Sequence, residues 1–429
     1  MRVLLSLCLV VGILLAQTSP EQKRLNLESF EKVWTTVRDK HWQTKPGGLD
    51  WQAIHDEYRP RAEKAATTEE TRAVIQDMLG RLHQTHFGIL PAPVYSVLGD
   101  DSSGDGTPGI DLRVLDGEAV VTDIDPGSPA ELAGVRPGWT ILRIGTTELK
   151  PLIDQAMANP AVHELQFTRS LLARLSGTSG SSTIPVTFLA GTQTTLLVNL
   201  KRAAPRGELS SFGNLPPMHV WYESKRIGAS AYVRFNEFLD LPHVMASFQT
   251  TVNGCLARTN NPTSNSCDGL IIDLRGNPGG IGGMAMGMAG FLVDKPNLRL
   301  GTMYMRESTL NFVINPRADV FTGPVAILMD ACSASTSEIF AGGLQDLGRA
   351  RIFGTHSAAA ALPSAFERLP NGDGFQYALA NYVSEGGKAL EGNGVEPNVV
   401  VKLTREALMA GHDPVLDAAL DWIRGKKAP

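Results

Sequence analysis

The stretch Ala331-Cys332-Ser333-Ala334-Ser335-Thr336-Ser337-Glu338 lies between an apolar run, Val325 to Met329, and a second apolar stretch opening at Ile339-Phe340. This pattern reads as a strand, a sharp turn of small residues and an amphipathic helix. A hydroxyl in such a turn projects into solvent, and the helix N-terminus behind it favours developing negative charge. Plain helix capping is the competing role for these serines. Acyl transfer needs a nucleophile, a base within hydrogen-bond reach and donors aimed at the oxyanion. Ser335 is the candidate nucleophile. A second turn, Arg275-Gly276-Asn277-Pro278-Gly279-Gly280, follows the buried-strand run Leu270 to Leu274 and offers backbone N–H groups unobstructed by side chains. Its glycines lack the Gly-x-Gly-x-x-Gly spacing that a dinucleotide site requires.

The elements that must hold these turns follow from periodicity. Phe30, Val33, Trp34 and Val37, and then Val74, Ile75, Met78, Leu79 and Leu82, recur at helical spacing, so residues 17–100 read as a helical N-terminal subdomain. Thr67-Thr68-Glu69-Glu70 opens one of its helices as a capping box. A Ser/Gly/Asp/Pro linker at 102–109 precedes alternating strands at 109–114 and 119–124. From 205 to 429 the pattern is α/β, with buried-strand runs at Leu270–Leu274 and Val325–Met329 and a last helix started by Asp413-Pro414.

With 429 residues, 43% hydrophobic and 19% charged, the composition is that of an ordinary globular protein of two or three domains. A net charge of −5, with no dense Lys/Arg run, argues against nucleic acid as a partner. No metal-spaced Cys/His cluster is present, and neither a metal nor an organic cofactor is expected. Arg2 followed by the apolar run Leu4 to Ala16 reads as a signal peptide over residues 1–16, cleaved near Ala16, with an uncleaved anchor as the alternative. The mature chain is then expected outside the cytoplasm, periplasmic or extracellular, with no stable membrane span after signal cleavage. Cys255 and Cys267 bracket an Asn/Ser/Pro-rich loop and are expected to close it as a disulfide. Cys332 reads as a small buried residue rather than a reactive thiol.

Two resemblances bear on function. Residues 105–203, with a strand order closed by Gly134-Val135-Arg136-Pro137-Gly138, closely resemble a PDZ domain carrying an apparent insertion around Leu152 to Ser182. Its carboxylate loop would be Gly109-Ile110-Asp111-Leu112, where an inward aspartate would repel a peptide C-terminus. Asp273-Leu274-Arg275-Gly276-Asn277-Pro278-Gly279-Gly280, the serine turn, Gly343 to Ala350, and Glu391 to Asn398 resemble the C-terminal-processing (tail-specific) serine peptidase family. That likeness implies an α/β crotonase-like (ClpP-type) catalytic domain over 205–429, with an inserted PDZ domain and the helical N-terminal subdomain. It implies Ser335 as nucleophile, and the N–H groups of Gly280 and Thr336 as oxyanion donors.

One position departs from the family. Many members carry a lysine base 25 residues after the serine, and here that position is Ala360. A methyl group cannot take a proton, so the chain is either inactive, binding peptides or apolar small molecules, or its base lies elsewhere. The tricorn-core branch of the family uses histidine, and Leu82-His83-Gln84-Thr85-His86-Phe87-Gly88-Ile89 resembles its motif. On that likeness His86 is the base, Thr85 the neighbouring hydroxyl and Glu391 the orienting carboxylate, with His83 a solvated neighbour and His356 a backup base. The expected activity is a serine endopeptidase acting on polypeptides, recognised through their apolar C-terminal tails.

Overall fold

The computed structural model describes residues 19–92, 106–158, 163–180, 183–212, 217–256 and 266–426; the signal-peptide expectation, on residues 1–16, lies outside them. At its centre is a six-stranded sheet in the order Tyr222–Ile227, Ser230–Phe235, Leu270–Asp273, Val325–Met329, Arg351–Gly354 and Val399–Val400. The first pair is antiparallel and the remaining neighbours are parallel. Side chains alternate across a strand, so Ile272 and Ile327 face the helices Leu241–Asn253, Gly282–Ala289 and Thr336–Asp346. Ile271, Ala326 and Leu328 face Pro414–Gly425 on the opposite side. Burial on both faces explains why these strands read as unbroken apolar runs. Leu270–Asp273 and Val325–Met329 are parallel neighbours, so the turns leaving their C-terminal ends, 274–280 and 330–335, meet.

The described N-terminal residues include the α-helices Pro20–Lys40, Trp51–Lys64 and Thr68–Gly80, started by side-chain caps from Ser19, Asp50 and Thr67. Trp34 and Trp51 each donate an indole N–H to the other's carbonyl, at 2.9 and 3.0 Å. Helices do not account for the whole of this segment, however. Gly88–Leu90 is a strand paired antiparallel with Gly374–Ala378. Leu369, Phe375 and Tyr377 enter the same core as Phe30, Ile75 and Leu79. A three-residue strand whose partner lies about two-thirds of the chain away leaves no periodic mark in the sequence.

Residues 110–200 form a separate antiparallel sheet in the order Ile110–Leu115, Glu118–Ile124, Thr140–Ile144, Ile184–Ala190 and Thr194–Leu200. Its core of Leu112, Val121, Ile141, Val186 and Phe188 also takes in Leu171 and Leu175 of a helix, Glu164–Leu175, inside the expected insertion. Cys255 and Cys267 are joined, their sulfurs 2.00 Å apart, and Cys332 is buried. Among the described residues no helix is long and apolar enough to cross a membrane.

Candidate active site

Ser335 occupies a backbone conformation, φ 53° and ψ −117°, that non-glycine residues rarely adopt. Such strain costs on the order of 1–3 kcal/mol and persists only where neighbours over-determine it. Here they do. The Ser335 N–H donates to the Ala360 carbonyl at 2.8 Å and to Glu338 Oε2 at 2.9 Å, and the Ser335 carbonyl takes the first helical bond from Ile339. The two turns are sewn together by Asn277, whose carbonyl accepts from the Ala334 N–H at 3.1 Å and the Ser337 hydroxyl at 2.9 Å. Ser333 adds a bond to the Leu274 carbonyl at 2.8 Å.

The glycines of the second turn are dictated by proximity. At Gly279, φ +102°, a Cβ would stand 2.7 Å from the Thr336 nitrogen and 2.8 Å from Ser335 Cβ. At Gly280, φ +137°, it would lie 2.3 Å from the Phe238 carbonyl oxygen. Phe238 brackets Gly280, donating to the Gly279 carbonyl and accepting from the Ile281 N–H, each at 2.7 Å. Among the described residues, the N–H groups of Gly280 and Thr336 have no acceptor, while the Thr336 hydroxyl donates to the Gly280 carbonyl at 2.8 Å. Two unengaged donors beside a serine hydroxyl are what an oxyanion site requires.

Glu338, fully buried, accepts from the Ser357 hydroxyl at 2.5 Å and from the N–H groups of Ala359 and Ala360 at 2.9 and 3.1 Å. Burial pushes its carboxyl up to about 7. It thus pins segment 357–360 against the serine turn, and Ala360 is buried there with no titratable group to offer.

The histidine arrives from the other end of the chain. The Glu391 carboxylate accepts from the Thr85 N–H at 2.7 Å, the Thr85 hydroxyl at 2.9 Å and the Ala361 N–H at 3.1 Å. Thr85 Oγ1 is also 2.7 Å from His86 Nδ1. A hydroxyl has one proton; given to the carboxylate, it leaves the oxygen to accept from Nδ1–H, and His86 Nε2 is then the bare, basic nitrogen. Burial pushes the His86 imidazole down to about 4, with the charges of Arg169 and His163 adding to the effect. Burial raises Glu391 above its ordinary value, against the pull of its Thr85 bonds. No hydrogen bond joins His86 to Ser335 among the described residues.

The other candidates stand apart. The ring nitrogens of His356 lie 2.7 and 2.9 Å from the carbonyls of Ser357 and Asn393, and His83 is exposed. Sequence reasoning missed Asn277, Glu338, Asp330 and Arg113. Buried Arg113 leaves the antiparallel sheet to reach Asp330 at 2.7 Å, and Asp330 accepts from the N–H groups of Gly276 and Cys332, one in each turn, at 2.9 Å. Glu338 had a local signal, the three-residue capping-box spacing from Ser335. Arg113 and Asp330 had none.

Comparison with known proteins agrees with this architecture. Residues 229–401 match Peptidase family S41, and residues 25–80 match the tricorn protease C1 domain. The chain is 25% identical over 424 residues to a carboxyl-terminal-processing protease of Synechocystis, covering 94% of this chain and 87% of that one. It is 25% identical over 417 residues to tricorn protease homolog 1 of Streptomyces coelicolor, covering 92% of this chain and 34% of that protein. The fold is shared with a photosystem II D1 C-terminal processing protease, at a TM-score of 0.58 and 22% identity over 94% of this chain and 97% of the other. With a serine turn, a glycine turn and a family S41 peptidase match over residues 229–401, the protein is a serine-type peptidase similar to the carboxyl-terminal-processing proteases.

Proposed function

We propose that this chain is an exported endopeptidase in which Ser335 is the nucleophile, His86 the general base, Thr85 and Glu391 its orienting pair, and Gly280 and Thr336 the oxyanion donors. The observation that carries the reading is the unbroken chain from Glu391 through Thr85 to His86, with bonds of 2.9 and 2.7 Å. It supplies the tautomer that a base needs where Ala360 supplies none. In the acylation step His86 Nε2 takes the Ser335 proton as Oγ attacks the scissile carbonyl. The Gly280 and Thr336 N–H groups hold the oxygen that becomes negative. The imidazolium returns its proton to the leaving amine, and water repeats the sequence to release the acyl group. Because His86 and Ser335 share no bond in the resting arrangement, substrate binding must close that gap, as it does for many catalytic pairs.

The region 105–203 is read as a PDZ domain that delivers C-terminal tails, and the α/β domain as crotonase-like. Support for the former is the strand and helix order around the core of Leu112, Val121 and Phe188. Asp111 Oδ1 is engaged by the Leu112 N–H and Arg113, so its charge is balanced within the loop rather than set against a carboxylate. A fluorophosphonate probe should label the wild-type protein at Ser335 and leave Ser335→Ala unlabelled. Absence of labelling in the folded wild-type protein would refute the catalytic reading.

A further inference from the structure

Glu237 is a buried carboxylate that no step above uses, only 8% exposed. Its sole partner among the described residues is Arg169, at 3.5 Å, whose side chain is half in solvent. Glu237 immediately precedes Phe238, the residue whose backbone brackets Gly280, so its place relative to the oxyanion turn is fixed by two 2.7 Å bonds. Arg169 belongs to the inserted helix Glu164–Leu175, and its charge acts on both Glu237 and His86. His163, at the start of the same helix, acts on His86 and Glu391. The insertion therefore sets a guanidinium against a carboxylate beside the oxyanion turn, with its charge felt at the proposed base.

A buried carboxylate with one distant, half-hydrated partner is poorly compensated. We propose that Glu237 is the floor of an acidic specificity subsite, which binds a lysine or arginine side chain of the polypeptide substrate next to the scissile bond. Arg169 occupies it as an internal stand-in when no substrate is bound. The proposal rests on the reading of Ser335 as nucleophile. The exchange is selective for chemical reasons. Arg169 returns to water at little cost, while the substrate cation completes a pair in a site that excludes solvent. An apolar or acidic side chain would displace Arg169 and leave Glu237 unpaired, a mismatch of the kind that sites built for polar groups reject strongly. Burial that pushes Glu237 up to about 7 is consistent with a group in need of a cation.

The test uses the full chain and peptides that differ only in lysine, norleucine or glutamate at each position flanking the cleaved bond. In the wild-type protein one fixed position should show a lysine-to-norleucine ratio in kcat/KM of about tenfold or more. Glu237→Gln should collapse that ratio, and Glu237→Lys should invert it in favour of a glutamate peptide. Arg169→Ala should lower KM for the lysine peptide selectively. If Glu237→Gln changes both peptides by the same factor, the Arg169 pair is only a latch on the inserted helix and the subsite is overturned. Fluorophosphonate labelling separates the two layers. Labelling without any lysine preference removes the subsite and leaves the peptidase. Absence of labelling removes the peptidase reading, and calorimetric binding of the two peptides to the same protein then decides the subsite alone, equal affinities refuting it.

Discussion

Thr85 is the residue on which the proposed base depends most directly, because it accepts from one neighbour and donates to the other. Valine there keeps the shape but removes both bonds, freeing the imidazole to adopt the wrong tautomer. Thr85→Val is expected to lower kcat/KM by roughly 100-fold, while Thr85→Ser keeps most activity, with unchanged circular dichroism in both. Steady-state kinetics on a chromogenic peptide would check this, and a valine variant at wild-type rate would remove the relay. The pH profile gives a second test. His86 is depressed to about 4 from an ordinary 6.5, so its neutral, basic form persists well into acid. The acid limb of kcat/KM should therefore fall near pH 4 and not at the 6–7 of an ordinary imidazole. Glu391 is raised above its ordinary value by burial, against the pull of its Thr85 bonds. The linked effect on stability has a definite sign. Between 6.5 and 4 the unfolded chain binds a proton that the folded chain excludes, so stability is lost as pH falls through that window. Ser335 was legible in the sequence because a strand, turn and helix are contiguous; His86 was legible only through family likeness, since nothing around a helix end marks a base.

At the level of elements, the serine turn stands because segment 357–360 is fastened to it. Glu338 holds three backbone N–H groups and one hydroxyl, and glutamine could satisfy only part of that set. Glu338→Ala should cost at least ~3 kcal/mol by leaving several buried donors unpaired, and Glu338→Gln less. Urea unfolding would measure both, and alanine at wild-type stability would show that the segment is held otherwise. The strands and helices of this layer were readable from apolar runs and capping residues. The cross-links between them were not. Asn277 and Glu338 act on residues brought close only after the parallel strands pair, and hydrophobic periodicity carries no information about such bonds.

Across the whole molecule, distant parts of the chain converge on one end of the central sheet. The Cys255–Cys267 bridge lies at the other end, where the helix Leu241–Asn253 turns back into the strand Leu270–Asp273. Its removal should thus reduce stability by up to about 3 kcal/mol and leave kcat/KM unchanged. A double Cys255→Ala/Cys267→Ala variant in denaturation and peptidase assays checks both halves, and two free thiols found by alkylation of the native protein would refute the bridge. The α/β layout was visible in the sequence, whereas the strand Gly88–Leu90 was not, because its stability comes from Gly374–Ala378.

That strand pairing has a consequence for the life of the polypeptide. Thr85 and Glu391 are 306 positions apart, and His86 sits two residues before a strand whose partner is made almost last. A chain emerging from the ribosome carries the imidazole early and the carboxylate late, and between those moments it has no oriented base. On the proposed assignment, its own unfolded segments are exposed only while that site is still in pieces. On that assignment the base is oriented only when the last strands close, and completing the fold then stands where a removable propeptide stands in other proteases.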